Sequence, residues 1–421
     1  MNIEKNNITE TYKKNIATVI EFLYRNKNTS RTEISKATGL TPAALTKITG
    51  DLISQKFLIE TGSELKNIPG SGRKQKIITL SPNVGFFIGI EVNIKGIFVV
   101  VTDTIGTILN KVAFYQHYNN HDINTKIIEL VKEASSPFNT DKILGAGIAI
   151  PGHVDPSEQS IVSNNNKWKS FDLSKIQQNF SFPFAIENNI KCMGLGEYLF
   201  NAEQSPENFL FFHIGAGMYC SVFHAHHIEK EMNYYIGEIG HTVVDIQGPQ
   251  CECGKHGCLQ TYISESWLIK RAKKLFDSSQ ITILKDLVLK PSDITLETLI
   301  HAYELGDTYL QKLLDKGLDL LAVSIANTLI LQNTEKIYLN SELLNYEMFK
   351  DKLLVAIHKQ LTFIPKNQEV RIEVVPFIPH RGAYGAAALA SLTFFIEHPS
   401  FTTNLLNKKM MNKYEDIPKA F

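Results

Sequence analysis

The sequence has no apolar run approaching the ~20 residues that a bilayer-spanning helix needs, and its opening residues, Met1 to Asn7, lack the apolar stretch of a secretory leader. Five of its 421 residues are cysteine and two are tryptophan. It carries no internal repeat at solenoid period and no low-complexity tract. These absences argue against a helical membrane protein, a disulfide-framed secreted module and a repeat array, and lead us to expect a cytoplasmic protein with reduced thiols and no membrane span. Net charge is lacking as well, since 43 Lys and Arg balance 43 Asp and Glu. The balance is uneven along the chain. Residues 1–80 hold thirteen of the basic residues and seven of the acidic ones, leaving 30 against 36 for the remainder. A basic N-terminal module on a slightly acidic body points to a polyanion met by the first part only. The length implies two or three domains.

The few cysteines are not scattered. Cys251, Cys253 and Cys258 fall within eight positions, and His241 lies ten positions upstream of the first. Three thiolates and one imidazole make a closed tetrahedral set for zinc, with no open position for a substrate, so the metal is expected to be structural. Gly248, Gly254 and Gly257 are placed to supply the tight turns that let such ligands converge.

Near the N-terminus, Ile16, Val19, Ile20 and Leu23 recur at helical spacing and predict an amphipathic helix over 14–25. A short helix over 32–38 ends at Gly39, and a third follows over 42–55, capped by Thr41 and opened by Pro42, with Leu45, Ile48 and Leu52 on its buried stripe. Helix, glycine turn, helix is the helix-turn-helix pattern, whose second helix would present Thr41, Ala44, Thr46 and Lys47 to base edges. Two apolar pieces, Phe57-Leu58-Ile59 and Lys76 to Leu80, flank Pro69-Gly70-Ser71-Gly72-Arg73-Lys74. They predict a two-stranded wing whose basic tip, Arg73 and Lys74, reaches DNA backbone or minor groove. From Val84 onward strands and helices alternate, with strands predicted over 85–92, 96–103, 143–150, 209–214, 337–339 and 371–375 and helices over 124–135, 194–200 and 265–333.

Glu238-Ile239-Gly240-His241 followed by Cys-x-Cys-Gly-x-x-Gly-Cys-Leu from Cys251 resembles the zinc-bearing segment of the ROK family, which contains sugar kinases and sugar-responsive repressors. The Gly72-Arg73-Lys74 tip is similar to the Gly-Arg-Arg tip of ROK repressors. The resemblance covers about residues 14–395. It implies an α/β chain in which a winged helix-turn-helix domain (1–80) precedes a ribonuclease-H-like, actin-like two-lobed sugar kinase fold. The first lobe would span 81–190, completed by about 385–400. The second, 191–384, would carry the zinc site and a dimerisation surface.

The same resemblance implies a sugar pocket formed by Gly152, Asn165, Asn188, Asn189, Glu238, His241 and Gln260. Asn165 stands three before Trp168, as in the family's Asn-x-x-Trp. Two positions depart from the family's carboxylates. Asn189 stands where ROK kinases keep the general base, and Gln260 stands where their pockets keep Glu. An amide cannot take a proton at neutral pH, and the loss of two carboxylates favours a less basic or anionic ligand such as a sugar phosphate. The nucleotide loops are eroded too, at Glu91 to Lys95, at Gly215 to Ser221 and at Asn340-Ser341, so no ATP binding is expected. The resulting expectation is a kinase-inactive, sugar- or sugar-phosphate-responsive repressor that binds operator DNA as a homodimer or dimer of dimers. The rival is a ROK sugar kinase with an appended DNA-binding domain.

Overall fold

The protein was analysed as a computed structural model. It describes residues 2–64, 76–115, 123–155, 160–162, 170–224, 235–363 and 370–397, with residues 2–9, 62–64 and 204 by backbone alone. Arg73, Lys74 and Asn165 lie outside the described residues.

In chain order the first part holds α1 (Asn2–Arg25), β1 (Thr29–Ser30), α2 (Arg31–Thr38), α3 (Pro42–Ser54), β2 (Leu58–Glu64) and β3 (Lys76–Leu80). It continues with β4 (Phe86–Asn93), β5 (Gly96–Asp103), β6 (Ile108–Phe114), α4 (Ile123–Ser135), β7 (Ile143–Ile150), β8 (His153–Asp155), β9 (Ser160–Val162), α5 (Leu173–Gln177), β10 (Phe184–Asn188) and α6 (Asn189–Leu199). The middle holds β11 (Phe209–Ile214), β12 (Met218–Phe223), α7 (Gln260–Ile263), α8 (Glu265–Asp277), α9 (Leu284–Leu287), α10 (Leu296–Glu304), α11 (Thr308–Leu331), β13 (Lys336–Asn340), α12 (Glu347–Gln360) and β14 (Arg371–Val375). Helix α13 (Arg381–Ser391) closes the order and runs into a π-helical turn, Leu392–Glu397.

The chain divides into two compact units, residues 1–205 with 380–421, and residues 206–379. This division places α6 with the first unit. Its backbone meets that of α13, where a Cβ on Gly385 would stand 2.0 Å from the Cys192 carbonyl oxygen.

Local rules account for the N-terminal helices. Ser30 caps α2, accepting from the Glu33 amide while the Glu33 carboxylate accepts from the Ser30 amide, a reciprocal capping box. Gly39 ends α2 in the left-handed region at φ 70°, and Thr41 caps α3 ahead of Pro42. Ile16, Val19, Ile20 and Leu23 of α1, Ile34 of α2 and Leu45, Ile48 and Leu52 of α3 are all buried. Strand β3 lies between β1 and β2, with Leu58 opposite Leu80.

The rest of the first unit is a five-stranded sheet in the order β10-β7-β4-β5-β6, parallel across β10, β7 and β4 and antiparallel beyond. Gly89 and Gly147 are required here, since a Cβ on either would stand 1.8 or 2.0 Å from a carbonyl oxygen of α13. The second unit is a four-stranded sheet, β12-β11-β13-β14, whose Leu210, Phe212, Ile337 and Leu339 pack against α8 and α10 to α12.

Candidate metal centre and ligand half-sites

The four residues singled out by spacing converge in the second unit. One donor atom from each of His241, Cys251, Cys253 and Cys258 lies within 4.8 Å of all the others. Cys253 Sγ is 3.6 Å from Cys258 Sγ, and Cys251 Sγ is 3.6 Å from His241 Nδ1. Two sulfurs bound at 2.3 Å to one tetrahedral centre stand ~3.8 Å apart, so the donor set fits a zinc-sized ion. Burial pushes the Cys258 thiol well above its ordinary value, and hydrogen bonds to Cys253 and Cys251 add to the shift. Opposing its own burial, the Lys255 amide and the neighbouring thiols hold Cys253 below its ordinary value. Thiolates this close need a cation among them to ionise together.

The loop that presents them is pinned by glycine geometry. Gly254 and Gly257 have φ of 88° and 69°. A Cβ on Gly257 would stand 1.5 Å from the Asp245 carbonyl oxygen. Asp245 is itself held by the Tyr262 hydroxyl at 2.8 Å and by Lys316 at 3.6 Å.

Residues expected to face a sugar also touch this centre. With Nδ1 turned to the thiols, His241 presents Nε2 to the Glu238 carboxylate at 3.9 Å. A carboxylate behind a ligating imidazole fixes the ring and raises its basicity. Gln260 donates its Nε2 to Cys251 Sγ at 3.3 Å.

The first unit carries its own cluster of residues expected to face a sugar. Gly152, at φ 102°, follows β7, and its carbonyl accepts from Asn188 Nδ2 at 2.8 Å. Asn188 Oδ1 accepts from the Ile190 and Lys191 amides at 2.8 and 3.1 Å and so caps α6. With both oxygen lone pairs and one amide proton used, Asn188 has one N–H without a partner among the described residues. Asn189 is buried beside it and points Nδ2 at Glu91 Oε1, 3.5 Å away.

Glu91 is the residue whose local role its sequence context did not reveal. It is 1% exposed and sits against the first turn of α13, where a Cβ on Gly382 would stand 2.2 Å from its carboxyl carbon. Burial pushes its carboxyl up to about 7, against the opposing pull of Asn93, Asn189 and the Gly382 and Ala383 amides. Its Oε2 has no hydrogen-bond partner among the described residues.

At the strand ends of the second unit, Asn340 Oδ1 meets His213 Nδ1 at 2.9 Å, and its Nδ2 donates to the Val375 and Pro376 carbonyls at 3.3 and 3.4 Å. The buried amide thus ties β11, β13 and β14 together. Met218 to Ser221, expected as part of a glycine loop, form most of β12 and pair with β11.

Thr41, Thr46 and Lys47 of α3 and its cap are exposed, and Ala44 is half-buried. The Thr46 hydroxyl bonds back to the Pro42 carbonyl, and Lys47 Nζ lies 5.5 Å from the centre of the Tyr12 ring.

The sequence pattern of the ROK family matches residues 87–392. A xylose repressor of Bacillus spizizenii is 28% identical over 265 residues, 61% of this chain and 67% of that protein. A xylose repressor of Caldicellulosiruptor bescii is 25% identical over 371 residues, 85% of this chain and 90% of that one. The DNA-binding transcriptional dual regulator NagC of Escherichia coli is 25% identical over 374 residues, 86% and 88% of the two chains. Among solved structures, a ROK family transcriptional regulator described as a homologue of the E. coli Mlc protein matches with a TM-score of 0.73 at 19% identity, over 92% of this chain and 98% of that one. A ROK family glucokinase from Streptomyces griseus, in complex with glucose and AMPPNP, matches with a TM-score of 0.62 at 21% identity, over 72% of this chain and 99% of its own. These likenesses establish the two-lobed, actin-like sugar kinase fold. With its family pattern matched over well more than half its length, the chain belongs to the ROK family.

Proposed function

We propose that this chain is a DNA-binding transcriptional repressor whose ROK domain senses a sugar or sugar phosphate and does not transfer phosphate. The observation that carries the reading is that one compact unit holds both halves of such a device. Helices α2 and α3, joined at left-handed Gly39, turn Thr41, Thr46 and Lys47 outward, and the same unit holds Gly152, Asn188 and Asn189. With β2 and β3 following α3, residues 1–80 read as a winged helix-turn-helix, and Arg73 and Lys74, in the sequence between the two strands, are assigned to DNA contact. Relatives named as a xylose repressor and as a DNA-binding transcriptional dual regulator support the same assignment.

Loss of phosphoryl transfer rests on chemistry at three positions. An amide at 189 cannot accept the hydroxyl proton. Glu91 places a carboxyl of the chain's own against the amides of α13, where a nucleotide phosphate would need an empty cradle. Asn340 fills the strand ends of the second unit with its own hydrogen bonds. We assign zinc to the His241 and cysteine cluster in a structural role. The sugar contacts are assigned to Gly152, Asn165, Asn188, Asn189, Glu238, His241 and Gln260. The chain would work in the cytoplasm as a homodimer or dimer of dimers, because paired half-sites supply affinity that one winged helix lacks, with the dimerisation surface on the second lobe.

The test selects DNA from a random pool with the full-length protein and measures binding with and without D-xylose, N-acetyl-D-glucosamine and their phosphates. A selected, palindromic site whose affinity falls steeply with salt is expected, and Lys47→Ala should flatten preference among site variants. Failure to select any sequence, or ATP-dependent phosphorylation of one of these sugars, would overturn the assignment.

A further inference from the structure

Two helices run from the ligand half-site of the first unit to helix α1. Both α6 and α13 are eleven residues long, about 16 Å. At one end, the Asn188 cap ties α6 to the Gly152 carbonyl, and Glu91 lies against the first turn of α13. Between the ends the helices touch backbone to backbone, at Gly385 over the Cys192 carbonyl and with a Cβ on Gly196 only 3.4 Å from the Gly385 Cα. Neither helix can shift without the other.

At the far end both helices grip α1. The Tyr198 hydroxyl of α6 donates to Glu21 Oε1 at 2.7 Å. The Arg25 guanidinium lies 4.3 Å from the centre of the Tyr198 ring and donates to the carbonyls of Tyr198 and Ser205 at 3.3 and 3.1 Å. At the end of α13, Ser391 Oγ meets the Tyr24 hydroxyl at 2.8 Å, and that hydroxyl also donates to the Thr104 carbonyl. One turn further, the Phe395 ring packs on Tyr24 and on Phe57, which follows α3. Helix α1 in turn packs against α2 and β3, and α2 packs against α3.

We propose that α6 and α13 form a paired rod that transmits the state of the Gly152, Asn188 and Glu91 cluster to α1, with Tyr198 and Arg25 as the joint. The inference rests on reading that cluster as an effector half-site. It adds where the signal leaves the half-site and which side chains deliver it. A ligand that displaces the Asn188 bond to Gly152, or takes the Asn188 N–H that has no partner among the described residues, moves the cap of α6, and the glycine contacts carry that movement through both helices. Tyr198 and Arg25 are positioning residues, since they touch neither the half-site nor the exposed face of α3.

The experiment is a double-mutant cycle between the two ends in the full-length chain. Asn188→Ala perturbs the half-site end, and Tyr198→Phe with Arg25→Ala opens the joint. Two readouts are followed: affinity for DNA selected from a random pool, and hydrogen exchange of the α1 amides over 16–25. With the joint intact, Asn188→Ala should change DNA affinity at least about fivefold, at the low end of ordinary allosteric coupling, and change exchange in α1. With the joint opened both effects should shrink by more than half, the remainder passing through the Ser391–Tyr24 contact of α13. An effect of Asn188→Ala that is the same in both backgrounds, or absent from α1 with the joint intact, overturns the relay. Gly152→Ala, which strains a left-handed turn with open space around it, repeats the cycle should Asn188→Ala fail to fold. If the protein selects no DNA, the exchange readout still decides the relay, so the two failures are distinguishable.

Discussion

Glu91→Gln should make the protein more stable at alkaline pH and leave it nearly unchanged at acid pH. The carboxyl is buried against α13 and its folded-state pKa is raised from an ordinary 4.5 to about 7, with burial as the largest cause. A raised carboxyl pKa means that the folded chain holds its proton more tightly than the unfolded chain. The associated stability is therefore complete below pH 4.5 and is lost progressively as pH rises through 7. At ~1.4 kcal/mol per pH unit, the loss across that interval is about 3 kcal/mol. Glutamine keeps the shape and never ionises, and Asn189 can turn its oxygen toward the new amide. The assay is the difference in unfolding midpoint between variant and parent from pH 4.5 to 8.5, taken as a difference so that other titrating groups cancel. It should grow with pH and level off above 7. A difference that is flat with pH would show that Glu91 ionises in the folded chain as readily as in water.

Two further changes address the halves separately. Gln260→Glu replaces a donor to Cys251 Sγ with a carboxylate 3.3 Å from a thiolate. It should lower zinc affinity on the order of 10–100-fold, as loss of a partner behind a metal ligand does, read by competition with a chromogenic chelator. Unchanged affinity would show that the amide does not serve the metal. Asn189→Asp returns a carboxylate to the position of the family's general base, but Glu91 stays against α13 and Asn340 keeps its bonds. No sugar phosphorylation should appear in a coupled ATP-consumption assay. Turnover by this single variant would show that the remaining loops still admit a nucleotide.

Much of the architecture was legible because its signals are local. The stripe Ile16, Val19, Ile20 and Leu23 is buried as its spacing predicts, and the strands over 143–150, 209–214 and 371–375 have the predicted bounds. The metal cluster was legible because its ligands lie within eighteen positions and few other folds use such spacing. Helix α6 was not. A helix over 194–200 was expected to open the second lobe, whereas α6 runs Asn189–Leu199 within the first unit. It is buried on nearly every side, so no polar face marks its period, and Gly194 and Gly196 read as breakers. Gly196 is instead a place where α13 comes close. Strand β12 was missed for a related reason, since its Met218-Tyr219-Cys220 run has no alternation and is defined by its pairing with β11.

The contacts on which the proposed loss of phosphoryl transfer rests were the least legible, and they share a cause. Asn189 meets Glu91 across 98 positions, and Asn340 meets His213 across 127. No window of sequence contains both partners. Yet these contacts explain the substitutions better than random drift does. A nucleotide site must keep donors and acceptors free for its ligand, and buried groups left free cost stability when the ligand is gone. Here Asn340 spends its amide on β11 and β14, Asn188 spends most of its own on the α6 cap, and Gln260 serves the metal centre. On the proposed reading, polar groups that each unit satisfies from within have little left to offer a triphosphate. In the first unit Asn188 keeps one N–H without a partner among the described residues, beside the Gly152 turn and at the head of the helix that reaches α1. That arrangement suits a small ligand sensed through a helix cap better than a substrate held for reaction.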